Sequence, residues 1–133
     1  MDEHTLSSDA AVITDVRFDH IGLALRRPTD LWPVMAGALG GRYHGRGAKA
    51  GYGWTQLRFA NGFVVEGLNP EFHEGTDFLD RFLDESGPGP HHLTFHVGDL
   101  DAAIAVLRSA GIEPLGEDRS DPSWLEVVIH PRQ

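Results

Sequence analysis

The sequence predicts one α+β domain built from two related halves, each running strand, helix and then further strands in a β-α-β-β-β order. Three observations predict this fold class. Short runs in which polar and apolar residues alternate indicate strands, and three stretches with apolar residues three or four positions apart indicate helices. The third observation is a repeat, because His20 and the apolar residues after it recur 72 positions later, at His92.

Size and composition narrow the class of protein. The 133 residues suit a single core, and 41% hydrophobic and 23% charged residues are ordinary globular usage. No apolar run approaches the roughly 20 residues that a membrane span needs. The N-terminus has no signal-like apolar stretch, and the absence of cysteine excludes disulfides and thiolate metal sites. We therefore expect a soluble, cytoplasmic protein, and the net charge of -9 argues against a nucleic-acid partner.

The first half is predicted to begin at Val16. Residues 1–15 are polar and carry no sustained period, so we expect them to form a mobile N-terminal tail ahead of a single domain, 16–133. The run from Val16 to Leu25 alternates and indicates a strand. Asp30 is a favourable N-cap for the amphipathic stretch that follows, and Gly40 is expected to end that helix.

Further strands complete the first module, 16–70. Polar and apolar residues alternate around Trp54, which indicates a strand. Asn61 and Gly62 form a dipeptide typical of a two-residue hairpin turn. A strand from Phe63 to Leu68 is expected after the turn, with Pro70 closing it.

A linker helix is predicted over residues 74–86, where the apolar residues have helical spacing. The run Gly-Pro-Gly-Pro at 87–90 should end it. The second module, 90–133, then opens with an alternating strand around His92.

The remainder of the second module is predicted to mirror the first. Asp99 is expected to cap an amphipathic helix that Gly111 ends. Strands are expected over 112–117 and 124–129, with a turn at 120–122 between them.

Four segments carry a family resemblance: DHIGLAL, FVVEGLNP, GPHHLTFHV with DLDAAIAVLRSAG, and WLEVVIHP. Together they resemble the vicinal oxygen chelate superfamily, which includes glyoxalases, methylmalonyl-CoA epimerases, extradiol dioxygenases and bleomycin-resistance proteins. The resemblance covers about residues 16–133 and is greatest to epimerase-type and uncharacterised glyoxalase-like members. It implies that the two modules form a cupped mixed sheet.

The resemblance also implies a metal site. In this superfamily each half supplies a histidine from its first strand and a carboxylate or amide from its fourth, which here gives His20 and Glu66, and then His92. The equivalent of Glu66 in the second half would fall beyond Gln133. The second module is therefore expected to lack its last strand and the fourth ligand.

Two imidazoles and one carboxylate leave coordination positions open for water or substrate, and they suit Zn, Ni, Co, Mn or Fe. An open divalent site polarises a carbonyl oxygen and stabilises an enolate. We therefore predict a metal-dependent lyase or isomerase of the glyoxalase or epimerase type, which acts on a small carbonyl or thioester substrate.

The sequence leaves the general base open, because the carboxylate that the resemblance implies on the last strand has no equivalent here. Besides Glu66, the candidates are Glu126 and His96. Glu126 is the nearest remaining carboxylate by strand alternation, although an exposed strand glutamate needs no such role. His96 shares the face of His92 and could carry protons near neutral pH. His91, expected just before the strand, is predicted to form a local hydrogen bond.

Two other functions stay open. The first is a metal-free small-molecule binding or antibiotic-sequestration protein of the bleomycin-resistance type, with an aromatic rim on the cup. The rim residues would be Tyr43, Trp54, Phe72 and Trp124. The second, less favoured, is an extradiol-type dioxygenase using Fe(II). In each case a homodimer is expected, because a missing strand would expose a sheet edge.

Overall fold

The computed structural model describes residues 11–49, 51–71 and 78–132. Within these ranges the strands are β1 (Val16–Ala24), β2 (Arg42–Lys49), β3 (Tyr52–Arg58), β4 (Val64–Pro70), β5 (Gly89–Val97), β6 (Leu115–Asp121) and β7 (Trp124–Val128). The helices are a 3-10 turn (Pro28–Leu31), a π-helical segment (Trp32–Ala38), α1 (Phe78–Ser86) and α2 (Leu100–Ser109). None of the helices in these ranges combines the length and the apolar character that crossing a membrane requires.

The larger sheet has five strands in the order β2-β3-β4-β1-β5. Strands β2, β3 and β4 form an antiparallel meander, whereas β1 and β4 are parallel, with Ile21 opposite Val65. The turn between β3 and β4 includes Asn61 and Gly62, and Gly62 has a φ of 86° that suits glycine. The loop has three residues, 60–62, instead of the predicted two, because the N–H of Phe59 donates to the carbonyl of Phe63 at 2.9 Å. Strands β6 and β7 form a separate antiparallel pair. The mixed sheet with its helices confirms the α+β class.

The described residues divide into two compact units. One unit lies within residues 18–95, and the other combines residues 11–17 with 96–132. Residues 1–10 of the predicted tail lie outside the described residues. Asp15, the last residue of that predicted tail, accepts a hydrogen bond from the backbone N–H of Gly98 at 3.3 Å. The single domain over 16–133 stays a prediction.

The unit of residues 18–95 packs apolar side chains on both faces of its sheet. Neighbouring residues on a strand point to opposite faces. On one face, Ala24 and Leu68 form a buried cluster with Leu79 and Leu83 of α1. On the other face the buried cluster consists of Leu25, Leu31 and Val65. The helix α1 therefore covers the face to which the even-numbered residues of β1 and β4 point.

The predicted first helix differs from the observed one at its start. Asp30 was expected at the N-cap, but the 3-10 turn begins at Pro28 with Arg27 as the N-cap. Proline favours the first helical position because its fixed φ suits a helix and its missing N–H is not needed there. Asp30 instead reaches back, and its carboxylate accepts hydrogen bonds from the backbone N–H of Arg27 at 3.2 Å and from its side chain at 3.0 Å.

The predicted strand 112–117 is also shifted, since β6 spans Leu115–Asp121. The backbone N–H of Ile112 is held by the carbonyl of Leu107 at 2.9 Å, and Pro114 has no N–H for a strand ladder. The turn falls at 122–123 instead of 120–122. It forms there because the Asp121 carboxylate accepts from the N–H and the hydroxyl of Ser123.

The other helices follow their predictions. Asp99 caps α2 by accepting from the N–H of Ala102, and Gly111 after the helix has a φ of 79°. Of the linker helix predicted over 74–86, the structure shows residues 78–86, and residues 74–77 lie outside the described residues.

Candidate metal centre

Three side chains from three strands meet on the face of the sheet that α1 covers. His20 lies on β1, Glu66 on β4 and His92 on β5. The parallel register of β1 and β4 places Gly22 opposite Glu66. Glu66 therefore lies on the strand next to His20, and its opposite residue on β1 is two positions after His20. His20 and Glu66 are buried and His92 is half-buried. The predicted set of metal ligands is thus brought together in one place.

The distances between these side chains suit a small divalent ion. Nε2 of His20 lies 3.4 Å from Oε1 of Glu66 and 3.4 Å from Nε2 of His92, and the remaining distance, from His92 Nε2 to Glu66 Oε1, is 3.9 Å. Two ligand atoms of a tetrahedral zinc ion, each roughly 2.0–2.2 Å from the metal, are about 3.3–3.6 Å apart. Among the described residues, this is the group of ligand-type side chains whose donor atoms all lie within 4.8 Å of one another. The donor set therefore fits a divalent cation.

Neighbouring polar groups orient two of the three side chains. Gln56, opposite Glu66 on β3, donates a hydrogen bond of 2.7 Å to Oε2 of Glu66, and Oε1 faces the histidines. On β1, a carboxylate oxygen of Asp19 lies 2.7 Å from Nδ1 of His20. The hydroxyl of Thr94 is 3.2 Å from Nε2 of His20. No sequence pattern singled out these three residues. The predicted two-residue turn at Asn61-Gly62 would have paired Leu57 with Glu66, one residue away from the observed pairing of Gln56 with Glu66.

The electrostatics of the centre favour charged forms of both His20 and Glu66. Burial by itself lowers the pKa of His20, but the hydrogen bonds and negative charges of Glu66 and Asp19 outweigh it and raise that pKa above its usual value. Burial would likewise raise the pKa of Glu66. The hydrogen bond and charge of His20, with smaller effects of Gln56 and His92, instead lower that pKa. The metal-free centre is thus an ion pair in mildly acidic solution.

His92 is held by its surroundings on β5 and by a gap in β1. A methyl group on Gly22 would lie 2.6 Å from Nε2 of His92, so the ring occupies the space that the glycine leaves. Nδ1 of His92 is 3.0 Å from Nδ1 of His91, which confirms the predicted local hydrogen bond. His91 itself is inside β5, two residues after its start, and not before the strand as predicted. Its ring lies 4.8 Å from that of Phe82, and burial lowers its pKa.

The two other candidate catalytic residues lie in the unit that contains residues 96–133. His96 is exposed, and its Nδ1 lies 3.3 Å from the guanidinium of Arg17. Glu126 is half-buried on β7 and accepts a hydrogen bond of 2.7 Å from the indole N–H of Trp124. Their catalytic roles stay predictions.

Three of the four residues of the predicted aromatic rim lie within the described residues. Tyr43 is exposed on β2, and Trp54 packs against the cluster formed with α1. Trp124 lies in the other unit, and Phe72 lies outside the described residues. The rim stays a prediction.

Comparison with known proteins decides the family. A profile of the glyoxalase/bleomycin resistance protein/dioxygenase superfamily matches residues 19–123. The chain belongs to this superfamily. The resemblance to vicinal oxygen chelate proteins is thereby confirmed, and the matched segment includes His20, Glu66 and His92. No match to the chain was found among curated protein sequences.

Several solved structures share the fold. A hypothetical protein from Bacillus halodurans C-125 has a TM-score of 0.78 and 21% identity, over 90% of this chain and 87% of that one. Methylmalonyl-CoA epimerase from Mycobacterium tuberculosis has a TM-score of 0.77 and 24% identity, over 97% and 85% of the two chains. A Streptomyces coelicolor methylmalonyl-CoA epimerase variant in complex with 2-nitronate-propionyl-CoA has a TM-score of 0.74 and 22% identity, over 90% of each chain. At these identities the likeness establishes the fold.

Proposed function

We propose that the protein is a metal-dependent lyase or isomerase of the epimerase or glyoxalase type. The observation that carries this proposal is the meeting of His20, Glu66 and His92, whose donor atoms lie within 4.8 Å of one another on one sheet face. The structural likeness to methylmalonyl-CoA epimerases supports a carbonyl or thioester substrate.

In this proposal His20, Glu66 and His92 hold one divalent cation. A bound cation would polarise the carbonyl oxygen of the substrate and stabilise the enolate formed when the α-proton leaves. The protein's own contribution is an ionised carboxylate, favoured by the lowered pKa of Glu66, beside two imidazoles that would hold a cation in their neutral forms. Because Gln56 and the two histidines already engage its oxygens, Glu66 acts as a ligand and a charge rather than as the base.

The proton-transfer groups are then His96 and Glu126. Both types of side chain can take a proton from carbon when a neighbouring charge stabilises the product. The His96→Ala and Glu126→Gln variants test this assignment separately. The variant that removes the base should lose α-proton exchange and keep its metal. A variant that loses neither is excluded from the role.

The first test of the function combines metal content with proton exchange. We expect wild-type protein, purified without a histidine tag, to carry close to one divalent ion per chain. It should also exchange the α-proton of methylmalonyl-CoA for deuterium in D₂O, as followed by mass spectrometry. The His20→Ala and His92→Ala variants should lose both properties.

The matched control is His44→Ala. His44 is an exposed histidine on β2 that contacts Arg58 and lies outside the cluster, so this variant should behave like wild type. Wild-type protein that binds no ion after reconstitution would contradict the proposal and favour the metal-free binding function. Metal binding without exchange of any thioester or α-keto hemithioacetal would contradict only the assigned reaction.

The proposal includes a homodimer and a cytoplasmic location. Light scattering on the purified protein is the direct measurement of the oligomeric state.

A further inference from the structure

Asp19 makes an unusual contact for its place on β1. Neighbouring residues on a strand normally point to opposite faces of the sheet. The carboxylate of Asp19 nevertheless lies 2.7 Å from Nδ1 of His20, the next residue along the strand. The Asp19 side chain is 34% exposed and that of His20 only 4% exposed. The partly exposed carboxylate of Asp19 thus contacts Nδ1 of the buried His20 ring.

This contact decides which nitrogen of His20 carries the hydrogen. Carboxylates face both nitrogens of His20, with Asp19 2.7 Å from Nδ1 and Glu66 3.4 Å from Nε2. A carboxylate can only accept a hydrogen bond, so the single hydrogen of a neutral ring belongs on Nδ1, where the contact is shorter. In neutral His20 the lone pair is then at Nε2. That atom faces the centre, with Oε1 of Glu66 at 3.4 Å and Nε2 of His92 also at 3.4 Å. The nitrogen able to bind a cation is therefore the one that points at the other two ligands.

We propose that Asp19 is a positioning residue of the centre, which fixes the Nδ1–H tautomer and the ring orientation of His20 so that Nε2 is presented to the cation. This inference rests on the proposed metal site and adds the residue that prepares it. Carboxylates that accept from the second nitrogen of a ligand histidine raise its basicity, and their loss typically weakens metal binding by about 10- to 100-fold.

The two histidines of the centre differ in the partner of their Nδ1 atom. Nδ1 of His92 faces another imidazole nitrogen, that of His91, at 3.0 Å. An imidazole can donate or accept, so this contact leaves both tautomers of His92 open. His20 is the pre-set ligand of the pair, and the effect of losing its partner should be specific to it.

The test measures Zn²⁺ affinity by competition with a chromophoric chelator, for wild type, Asp19→Ala and Asp19→Asn. We expect about 10- to 100-fold weaker binding in Asp19→Ala. Asp19→Asn, which keeps an accepting oxygen but loses the charge, should fall in between. The control is Asp30→Ala, since Asp30 also bonds a close neighbour in sequence, Arg27, but lies outside the centre. Its affinity should match that of wild type.

A second measurement separates positioning from a merely structural role. Two-bond ¹H–¹⁵N NMR of metal-free protein, at a pH where His20 is neutral, reports the tautomer directly. In wild type the hydrogen should be on Nδ1, and in Asp19→Ala a large fraction should move to Nε2. A structural role would lower the unfolding temperature and leave the tautomer unchanged. Asp19→Asn serves for the same comparison if Asp19→Ala does not fold.

The outcomes distinguish this inference from the proposed function. If wild type binds Zn²⁺, His20→Ala does not, and Asp19→Ala keeps both affinity and tautomer, the inference is wrong and the metal site stands. Weaker affinity with an unchanged tautomer also overturns it. Wild-type protein that binds no Zn²⁺ overturns both.

Discussion

The absence of a Cβ atom at Gly22 affects the position of the His92 ring in the centre. The missing side chain there makes room for the His92 ring, because a Cβ would lie 2.6 Å from Nε2 of His92. The imidazole of His92 would have to shift to make room for that methyl group. A residue with no functional group of its own therefore controls the geometry of one ligand.

We expect Gly22→Ala to weaken Zn²⁺ binding to nearly the level of His92→Ala, because the displaced ring no longer points at the other ligands. Isothermal titration calorimetry on the three proteins measures this. The control is Gly89→Ala, at the start of β5, where a Cβ would meet nothing within 4 Å. Wild-type affinity in Gly22→Ala would show that His92 is not held by this gap.

The pH dependence of metal-free protein should reveal the ion pair between His20 and Glu66. The raised pKa of His20 stabilises the fold below its ordinary value of 6.5, and this contribution is lost as the pH rises through the folded-state pKa. The lowered pKa of Glu66 stabilises the fold above 4.5, and this contribution is lost as the pH falls through the folded-state pKa. Both contributions are complete only between these two values.

Thermal unfolding of chelator-treated wild type and Glu66→Gln over a range of pH tests this window. The advantage of wild type should be greatest between pH 4.5 and 6.5 and should decline on both sides. Comparing the two proteins removes the effects of other titrating groups. A difference that does not vary with pH would contradict the ion pair.

The sequence was sufficient to predict that His20, Glu66 and His92 lie together, and insufficient to predict their hydrogen-bond partners. His20 and His92 stand out because they recur in an alternating pattern, and Glu66 follows from the family resemblance. Asp19 belongs to no repeat, and strand alternation places it on the wrong face. Its contact depends on a side-chain conformation, which no periodicity in the sequence encodes.

At the scale of elements, periodicity located β1, β4, β5 and α2, but helix starts depended on local chemistry. The first helical turn begins at Pro28, so Arg27 and not Asp30 is the N-cap. Strand β6 begins after Pro114 and not at residue 112 as predicted. Both shifts follow from the fixed φ and missing N–H of proline. The helix α1 matters most to the centre, because it packs on the same face as the ligands.

We expect Leu83→Ala to lower the free energy of unfolding by about 2–5 kcal/mol, because the side chain is 2% exposed and its loss leaves a cavity beneath α1. Urea denaturation followed by circular dichroism measures this. Leu39→Ala is the control, since Leu39 is 59% exposed. A loss below about 1 kcal/mol would mean that α1 does not depend on this contact.

Over the whole molecule, the ligands join three strands of the five-stranded sheet, so binding should stabilise the folded state as a whole. The mixed sheet was predicted by the family resemblance. The order of β2 to β5 within it depends on pairing between distant segments, which alternation alone does not specify.

We expect Zn²⁺ at one hundred times its dissociation constant to stabilise wild type by about 2.7 kcal/mol, through mass action on the folded state. Differential scanning fluorimetry should show the unfolding temperature rising with Zn²⁺ in wild type and His44→Ala. It should stay constant in His20→Ala. Equal shifts in all three proteins would place the stabilising ion elsewhere.

The wide spacing of the ligands along the chain has a consequence for biosynthesis. His20 and His92 are 72 residues apart, and Glu66 lies between them on a strand parallel to β1. Because a ribosome makes the N-terminal part first, a nascent chain ending before β5 carries two of the three donors. A three-ligand ion site would therefore form only after His92 has emerged, so a loaded centre would mark a chain whose long-range pairing is complete.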